Sequence, residues 1–407
     1  MSLIVQKFGG TSVGSLEKIR NVAERVIEMK KKGHDMVVVL SAMSGETDRL
    51  LRLAHEISET PNPREVDVLI STGEQVSVAL FSITVQNMGF KATSLLGHQI
   101  RILTDNAYGR ARISEIDSRR IMEEIRRDNI VVVAGFQGQD EKGNLTTLGR
   151  GGSDTTAVAV AAALKAQVCE IFTDVEGVFT SDPNICPKAR KMKKVSYEEM
   201  LEMASLGAKV LEIRSVEFAK KFKVPVHVRS TFTNKEGTMV VQEDKSMEKI
   251  LVSGVTYNKN EARITITKVP DRPGTATRIF TPISEAGVVV DMIIQNTSAD
   301  GLTDLTFTVP RNDFKKTMTM VKKVAKEIKA ERVLGDENIA KVSIIGLGMR
   351  NHAGVATTMF SVLAKEGINI MMISTSEIKV SCVIDEKYTE LAVRALHSAF
   401  HLDEETK

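Results

Sequence analysis

The sequence predicts an α/β protein: a mainly parallel sheet covered by helices, followed by two smaller ferredoxin-like βαββαβ units. Three observations lead to this prediction. Apolar, strand-like runs alternate with helix-like segments up to about residue 245. Beyond that point a landmark pattern repeats at a constant offset of 80 positions. The chain also opens with a short strand that passes through glycines into a helix.

The strands of the first half are short and almost entirely apolar. They are predicted at 3–5 (with Phe8 as a candidate extension), within 36–43 (a strand that enters a loop), and at 130–136, 168–174 and 224–230. Helices are predicted over 64–88 and after a turn within 145–166. Apolar strands that alternate with helices are typical of parallel sheets buried on both faces. Because such sheets bind ligands at the carboxyl ends of their strands, the loops after residues 5, 40, 134 and 173 are candidate site loops.

The second half contains an internal repeat. Three landmarks pair at the offset: Gly274 with Gly354, Phe280 with Phe360, and Gly287 with Gly367. Each copy reads as a split βαββαβ unit. The predicted domains are 1–245, 263–338, and 250–262 together with 339–407, with the polar stretch 234–249 leading out of the first. The repeats could serve assembly alone, or could form a ligand pocket at their interface.

Composition excludes several classes of protein. The 407 residues are 42% hydrophobic and 26% charged, as in an ordinary globular protein. A net charge of +3 and the lack of Trp argue against a nucleic-acid surface. Three scattered cysteines predict neither a disulfide framework nor a zinc site. With no apparent signal peptide and no apolar run of bilayer length, we expect a cytoplasmic protein without a membrane partner.

The opening stretch has the features of an anion site. Lys7 follows the predicted strand at the edge of a turn formed by Gly9 and Gly10, and this turn leads into a helix with Ser15 as a plausible N-cap. Backbone N–H groups at such a turn can approach a phosphate, and Lys7 would add a full charge. This is not a Walker A loop, because Ser15 stands where its lysine should be. The alternative is a tight strand–helix turn with a solvated lysine.

Other polar residues are weaker signals on their own. Arg150 precedes a glycine pair and could bind a carboxylate or phosphate, while Ser153 and Asp154 are candidate helix caps. Glu74 lies in a fairly apolar helix, so its carboxylate needs a partner, either a substrate ammonium or an internal Lys or Arg. The turn-rich stretch with Thr173, Asp174 and Asp182 could hold a nucleotide or be an ordinary loop. Lys209 merely follows a glycine.

Taken together, these stretches resemble the aspartate kinase family, in its monofunctional bacterial form with tandem C-terminal ACT domains. The matching segments are KFGGTSVG (7–14), VVVLSAMSGETD (37–48), STGEQVS (71–77), GRGGSDTTA (149–157), TDVEGVFTSDP (173–183), GAKVL (207–211), MRNHAGV (349–355) and ISTSEIK (373–379). The resemblance covers essentially the whole chain. Departures are Glu176 for a more usual aspartate, Phe179 for a common tyrosine, and LEIRS (211–215) for the commoner LHPRS.

The resemblance implies the amino-acid-kinase fold and ATP-dependent phosphorylation of L-aspartate to 4-phospho-L-aspartate, the first step toward lysine, threonine and methionine. It implies that Lys7, with the N–H groups of Gly9 and Gly10, contacts the phosphates, and that Asp154 orients Lys7. The implied aspartate-binding residues are Ser41, Thr47, Glu74 (for the ammonium), Arg150 (for a carboxylate) and Ser153. The implied ATP-site residues are Thr173, Asp174, Phe179, Asp182 and Lys209. Magnesium would arrive with ATP, and its protein ligands cannot be assigned.

The tandem repeats imply feedback inhibition by lysine, threonine or both. Asp271 sits at a predicted strand end just before Gly274, where a carboxylate and helix N–H groups suit a free amino acid, although it could simply cap that helix. The implied effector residues are Asp271, Gly274, Asp291 and Gln295, with Met349, Val355 and Ile370 from the second copy. We also expect a homo-oligomer formed through the ACT domains. Some members of the family make the regulatory half as a separate subunit, and Met247 lies where such an internal start would fall.

Two alternatives stay open at the level of sequence. One is another kinase of the same fold that acts on glutamate, acetylglutamate, carbamate or a nucleotide. The other is a non-catalytic amino-acid sensor whose kinase half has decayed. The pairing of Glu74 with Arg150 favours a free amino acid as substrate, and the presence of Lys7, Arg150 and Asp154 argues against decay.

Overall fold

The computed structural model describes residues 2–207, 210–244, 247, 250–296 and 301–404. The chain forms two compact units. The first comprises Met1–Val178, Lys191–Ser205 and Lys209–Met247, and the second comprises Phe179–Arg190, Leu206–Ala208 and Glu248–Lys407. The segment Phe179–Arg190 therefore groups with the two repeats, although its neighbours in sequence belong to the first unit.

The first unit alternates strands and helices as the sequence predicts. Its strands are β1 (Leu3–Phe8), β2 (Asp35–Leu40), β3 (Ala92–Leu95), β4 (Ile102–Thr104), β5 (Ile113–Ile116), β6 (Ile130–Ala134), β7 (Gln137–Gln139), β8 (Leu145–Thr147), β9 (Val168–Thr173), β10 (Lys194–Ser196), β11 (Val226–Ser230) and β12 (Thr238–Val241). Its helices are α1 (Leu16–Lys31), α2 (Glu46–Ile57), α3 (Pro63–Ile70), α4 (Thr72–Asn87), α5 (Arg119–Arg126), α6 (Gly152–Leu164), α7 (Tyr197–Ser205) and α8 (Ile213–Phe222).

Eight strands form the main sheet, in the order β10-β12-β11-β9-β1-β2-β6-β3. All neighbours are parallel except β11 and β12. The carboxyl ends of β9, β1, β2 and β6 therefore lie side by side at one edge, which confirms the fold class, and the loops after residues 40, 134 and 173 begin at this edge. The first strand runs to Phe8, so Lys7 lies in the strand itself rather than in the loop after residue 5.

Two predictions about secondary structure in this unit were wrong. Residues 145–147 form β8, which belongs to a second sheet of order β5-β4-β7-β8, and not to a turn. The stretch 234–249 contains β12, which pairs with β11 inside the main sheet. Both strands are short, with three and four residues, so neither shows a clear alternation of polar and apolar positions in the sequence.

Among the described residues, one helical stretch, Pro63–Asn87, is long and apolar enough to cross a membrane by length and composition alone. The prediction that no apolar run reaches this length was therefore wrong. Half of the apolar window is buried inside the protein. Val78, Phe81 and Val85 of this stretch pack with strands β1, β2 and β6 in one hydrophobic cluster, as expected for a core helix.

The second unit contains both βαββαβ repeats. Its strands are β13 (Gly254–Pro270), β14 (Ile293–Gln295), β15 (Leu302–Pro310), β16 (Arg332–Ile345), β17 (Met372–Thr375) and β18 (Lys379–Asp385). Its helices are α9 (Thr275–Glu285), α10 (Phe314–Glu327), α11 (Val355–Lys365) and α12 (Thr389–Ala399). They form one six-stranded sheet of order β14-β15-β13-β16-β18-β17. The long central strands β13 and β16 pair antiparallel along most of their length, so they run through both repeats.

Candidate active site

The lysine of the opening motif is paired with the acidic residue of the second glycine motif. Lys7 Nζ lies 2.5 Å from Asp154 Oδ1, and both side chains are about nine-tenths buried. The partners are brought together because α6 begins beside the carboxyl end of β1. An ion pair with little water around it is more strongly attractive than one at the surface, so Asp154 fixes where the ammonium of Lys7 points.

The glycine turn after β1 packs closely on the loop after β2. A Cβ atom on Gly10 would lie 2.8 Å from the carbonyl oxygen of Ala42, so no larger residue fits there without a shift. A Cβ atom on Gly9 would lie 3.5 Å from Lys7 Nζ. The turn therefore holds its backbone against the lysine ammonium, which suits a phosphate group approached by backbone N–H groups. Ser15 caps α1, as predicted, by accepting a hydrogen bond from Lys18 N at 3.3 Å.

Glu74 lies in the first turn of α4 and is 3% exposed. Its Oε1 accepts a hydrogen bond from the backbone N–H of Ala42 at 3.1 Å. Its Oε2 is buried and has no hydrogen-bond partner among the described residues. Burial raises the pKa of Glu74 to about 7, while the bond from Ala42 opposes the shift. The carboxylate predicted to need a partner therefore has one backbone partner, and its second oxygen can accept from a ligand.

The N-terminus of α6 presses against the ends of β2 and β6. A Cβ atom on Gly135, directly after β6, would lie 2.7 Å from Ser153 Oγ and 3.0 Å from the carbonyl oxygen of Leu40. Ser153 and Asp154 are not helix caps, contrary to the prediction. The capping position is Gly151, whose φ of +69° lets α6 begin at Gly152, and both side chains therefore fall inside the first turn.

The other predicted aspartate-site residues lie on loops at this edge. Ser41 follows β2 directly, and its backbone N–H donates to the carbonyl oxygen of Phe8 at 3.2 Å. Thr47 is half-buried in the first turn of α2. Arg150 is exposed in the turn between β8 and α6, and its guanidinium has no partner within the described ranges. A free arginine in this turn can fork a carboxylate bidentately.

The predicted ATP-site residues do not all fall in one unit. Thr173 ends β9 next to β1, and its hydroxyl donates to Asp174 Oδ1 at 3.0 Å. Phe179 and Asp182 belong to the second unit, where Asp182 Oδ2 accepts a hydrogen bond from Tyr257 Oη at 2.9 Å. Asp182 Oδ1 also accepts from the backbone N–H of Asn184 at 2.9 Å. Lys209 lies outside the described residues.

The predicted effector residues lie in the two repeats of the second unit. Asp271 is exposed after β13, and Gly274, with a φ of +89°, is itself the capping residue of α9 without any side-chain cap. The carboxylate of Asp291 pairs with the buried ammonium of Lys341, which also lies 3.2 Å from Glu261 Oε1. Gln295 is exposed at the end of β14. Three residues of the second copy contribute to one hydrophobic cluster: Met349, Val355 and Ile370.

Sequence reasoning missed two groups that hold this site in place. Asp67 is fully buried on α3, and Arg214 on α8 donates to two backbone carbonyls beside the Arg150 turn. Asp67 could have been found by the argument used for Glu74, namely that a carboxylate at an apolar position of a helix needs a hydrogen-bond partner. Arg214 lies within the LEIRS stretch, where nothing local indicates which carbonyls it would reach.

The organisation of the chain matches known families in both units. The model of the amino acid kinase family matches residues 2–230. Two ACT domain models match residues 263–326 and 342–400. A Lys–Asp pair and a glycine turn at the carboxyl edge of a parallel sheet, followed by two ACT domains, define a phosphotransferase with regulatory domains.

Comparison with individual relatives shows which family of phosphotransferases the chain belongs to. The chain is 59% identical to an aspartate kinase of Stutzerimonas stutzeri and 58% identical to the aspartokinase of Pseudomonas aeruginosa, covering 99% of this chain and 98% of each relative. The crystal structure of E. coli aspartokinase III in complex with aspartate and ADP is 26% identical, with a TM-score of 0.81 over 98% of this chain and 99% of that one. The chain belongs to the aspartate kinases of the amino acid kinase family.

Proposed function

We propose that this protein transfers the γ-phosphoryl group of ATP to the side-chain carboxylate of L-aspartate, releasing 4-phospho-L-aspartate and ADP. The observation that carries the proposal is the buried Oε2 of Glu74, which has no partner among the described residues. A substrate ammonium would supply that partner. The E. coli enzyme of the same fold, crystallised with aspartate and ADP, supports the choice of substrates. The high identity to aspartate kinases does not favour a glutamate or acetylglutamate kinase, or a sensor.

The transfer requires charge neutralisation more than proton transfer. An aspartate carboxylate is already ionised at neutral pH, so one of its oxygens attacks the γ-phosphorus without a general base. The bond from the γ-phosphorus to the bridging oxygen breaks, and ADP leaves with that oxygen. Lys7, held by Asp154, and the N–H groups of Gly9 and Gly10 stabilise the charge on the phosphoryl oxygens. Magnesium would enter with ATP and would neutralise part of the charge on its phosphates.

The remaining site residues would position the two substrates. Glu74 binds the ammonium of aspartate, Arg150 forks its α-carboxylate, and the hydroxyls around them complete the substrate site. The hydroxyl residues proposed for this role are Ser41, Thr47 and Ser153. The residues proposed for ATP are Thr173, Asp174, Phe179, Asp182 and Lys209.

A coupled assay of ADP release tests the proposal directly. We expect release that depends on aspartate, with little in glutamate and none without an acceptor. Release with glutamate in place of aspartate would instead indicate another kinase of the fold. If ATP binds but no acceptor among aspartate, glutamate and acetylglutamate supports turnover, the protein is a sensor and not an enzyme.

We further propose feedback inhibition through the ACT domains by lysine, threonine or both. The crystal structure of E. coli aspartokinase III with lysine and aspartate, in its T-state, supports an amino-acid effector. Asp271 is proposed to bind the effector ammonium because its carboxylate is exposed, lacks a partner within the described ranges, and lies just before α9. Asp291, by contrast, already pairs with Lys341, so an effector there would have to displace an internal ammonium.

Substitution of Asp271 is expected to weaken inhibition without changing the uninhibited kcat. An effector inhibits only by preferring one of two global states, typically by about 1–3 kcal/mol. Asp271→Ala should therefore shift the inhibition curve for lysine, threonine or their mixture to higher concentration. Glu285→Ala, at the exposed far end of the same helix, is the matched control. Equal sensitivity of the wild type and Asp271→Ala would remove Asp271 from the effector site.

Assembly through the ACT domains is the third part of the proposal. The six-stranded sheet ends in β14 and β17, and the apolar side chains of Ile293 and Ile373 on these edge strands are 53% and 42% exposed. Unpaired edges with apolar faces favour pairing with a second copy. We also propose that the regulatory half can be made as a separate subunit that starts at Met247. The protein is further proposed to be cytoplasmic and to act in the synthesis of lysine, threonine and methionine.

Light scattering of the full chain should give at least a dimer. A double variant, Ile293→Lys with Ile373→Lys, is expected to lower the mass toward that of a monomer, because two charges would be placed on the edges. Ile57→Lys, on the 89% exposed position of α2, is the control and should leave the mass unchanged. A monomeric wild type would rule out assembly through these edges.

A further inference from the structure

The turn that carries Arg150 has little regular structure of its own. It joins β8 to α6, and its two glycines, Gly149 and Gly151, have φ values of +80° and +69°. Arg150 between them is exposed and free of partners in the part of the chain that is described. Its usefulness for binding a carboxylate therefore depends on what holds the backbone on either side.

Arg214 holds the turn from one side. It is the second residue of α8 and is half-buried. Its Nη1 donates to the carbonyl oxygen of Leu148 at 2.7 Å, and its Nη2 donates to that of Ala111 at 2.7 Å. The planar fork of a guanidinium fixes both acceptors at once, which a lysine ammonium cannot do with the same geometry. Arg214 thereby joins the entry of the turn to the segment that follows the neighbouring turn at 107–110.

Asp67 holds the same two segments from α3. Its Oδ1 accepts from Thr147 Oγ1 at 2.7 Å, and its Oδ2 accepts from the backbone N–H groups of Thr147 at 2.8 Å and Gly109 at 3.0 Å. The carboxylate is fully buried, so these three bonds account for its presence there. A charged side chain therefore lies on each side of the paired segments 109–111 and 147–148.

Glu212, directly before α8, contacts the Arg150 turn at Gly151, where the turn leads into α6. A Cβ atom on Gly151 would lie 2.2 Å from Glu212 Cγ, so the backbone of Gly151 is in close contact with the side chain of Glu212. Glu212 Oε2 also accepts from Thr155 Oγ1 and from Ser215 N, both at 3.2 Å. The first turns of α6 and α8 are consequently locked together. The entry and the exit of the Arg150 turn are both held from the start of α8.

We propose that Arg214 is a positioning residue for substrate binding: together with Asp67 it holds the turn so that Arg150 meets the carboxylate of the amino-acid substrate. The proposal rests on the proposed function, in which Arg150 binds that carboxylate. It predicts that loss of the hydrogen bonds made by Arg214 weakens aspartate binding and leaves ATP binding unchanged. The effect should not arise only from a lower stability of the fold. Glu212 supports the same turn through Gly151.

The kinetic test uses the full chain with Arg214→Lys, the variant most compatible with folding, and Arg214→Met as a second. We expect the aspartate KM to rise about 10- to 100-fold, since misplacement of a binding group by about 1 Å has effects of that size. The KM for ATP and kcat at saturating aspartate should change little. Arg64→Lys is the matched control, since Arg64 lies on α3 of the same unit and its guanidinium donates to the side chains of Asn144 and Glu65.

A double-mutant cycle with Arg150→Ala separates positioning from general destabilisation. If Arg214 acts through Arg150, Arg214→Lys should add little to the aspartate KM in the Arg150→Ala background. Amide hydrogen exchange of residues 109–111 and 147–152 should be faster in Arg214→Lys than in the wild type. Full additivity of the two substitutions in the aspartate KM, or unchanged amide exchange in Arg214→Lys, would overturn the positioning role of Arg214. Either result would leave the kinase proposal intact. A wild type without aspartate-dependent ADP release would overturn both.

Discussion

Lys7→Ala is expected to lower kcat by roughly 10²–10³, the loss that follows removal of one preorganised electrostatic donor from a transfer site. The KM for aspartate should change much less, because the proposed role of Lys7, which is paired with Asp154, is to contact the phosphates and not aspartate. Initial rates at saturating ATP and aspartate measure the effect. A Lys7→Ala protein with nearly normal kcat would exclude Lys7 from the transition state.

The folded state of this variant must be checked separately. Removing Lys7 leaves the carboxylate of Asp154, whose side chain is 11% exposed, without its cation. A buried charge without a partner is destabilising, so some of the loss could reflect unfolding. The double variant Lys7→Ala with Asp154→Ala removes both charges and should be as slow as Lys7→Ala while unfolding at a higher temperature. Lys32→Ala breaks only an exposed pair with Glu28 and should change neither kcat nor stability appreciably.

Glu74→Gln is expected to raise the KM for aspartate by roughly 10- to 150-fold, the range that corresponds to losing a charged hydrogen bond of about 1.5–3 kcal/mol. The amide keeps the shape of the side chain and can still accept from the N–H of Ala42. It loses the negative charge offered to a substrate ammonium. Arg150→Ala should also raise the aspartate KM, through the carboxylate. ATP affinity should persist in both variants, and its collapse would mean that the two pockets are assigned the wrong way round.

Glu74 also predicts a pH dependence. Because burial raises the pKa of Glu74 to about 7, a large fraction of the free protein holds a neutral Glu74 below that pH. Only the ionised form attracts an ammonium, so kcat/KM for aspartate should rise with pH through about 7 and then level off. Glu74→Gln should remove this rise. Glu56→Gln, an exposed position on α2, should keep it. A wild-type profile that is flat between pH 5.5 and 8.5, roughly 1.5 units on either side of this pKa, would separate Glu74 from aspartate binding.

Motifs that are contiguous in the chain could be predicted well. The opening motif had the right order of strand, glycine turn and helix, with Ser15 as the cap. The cap predicted for α6 was wrong, because a glycine in the left-handed region starts that helix earlier than the polar side chains suggest. The short strands β8 and β12 were missed because three or four residues carry too little pattern.

The pairing of Lys7 with Asp154 was expected from the family resemblance, but other contacts between distant segments were not predicted. Nothing in the sequence indicates that Ala42 supplies the N–H for Glu74, or that Gly135 must lack a Cβ atom because Ser153 Oγ occupies that space. The same is true of Arg214, whose two acceptors lie 66 and 103 positions away in the chain. Each of these contacts depends on which loops the sheet order makes neighbours.

The sequence by itself determined the fold class, the repeat and the chemistry available, because hydrophobic periodicity and local motifs depend on residues near one another in the chain. Residue patterns did not show which charges meet, and the tertiary structure decided this, including the Lys7–Asp154 pair that only the family resemblance implied. It paired Lys7 with Asp154, left one oxygen of Glu74 buried without a partner in the described part of the chain, and placed Asp182 against Tyr257. The physical reason is that ion pairing and burial depend on distances across strands and helices, which chain folding sets and local sequence does not encode.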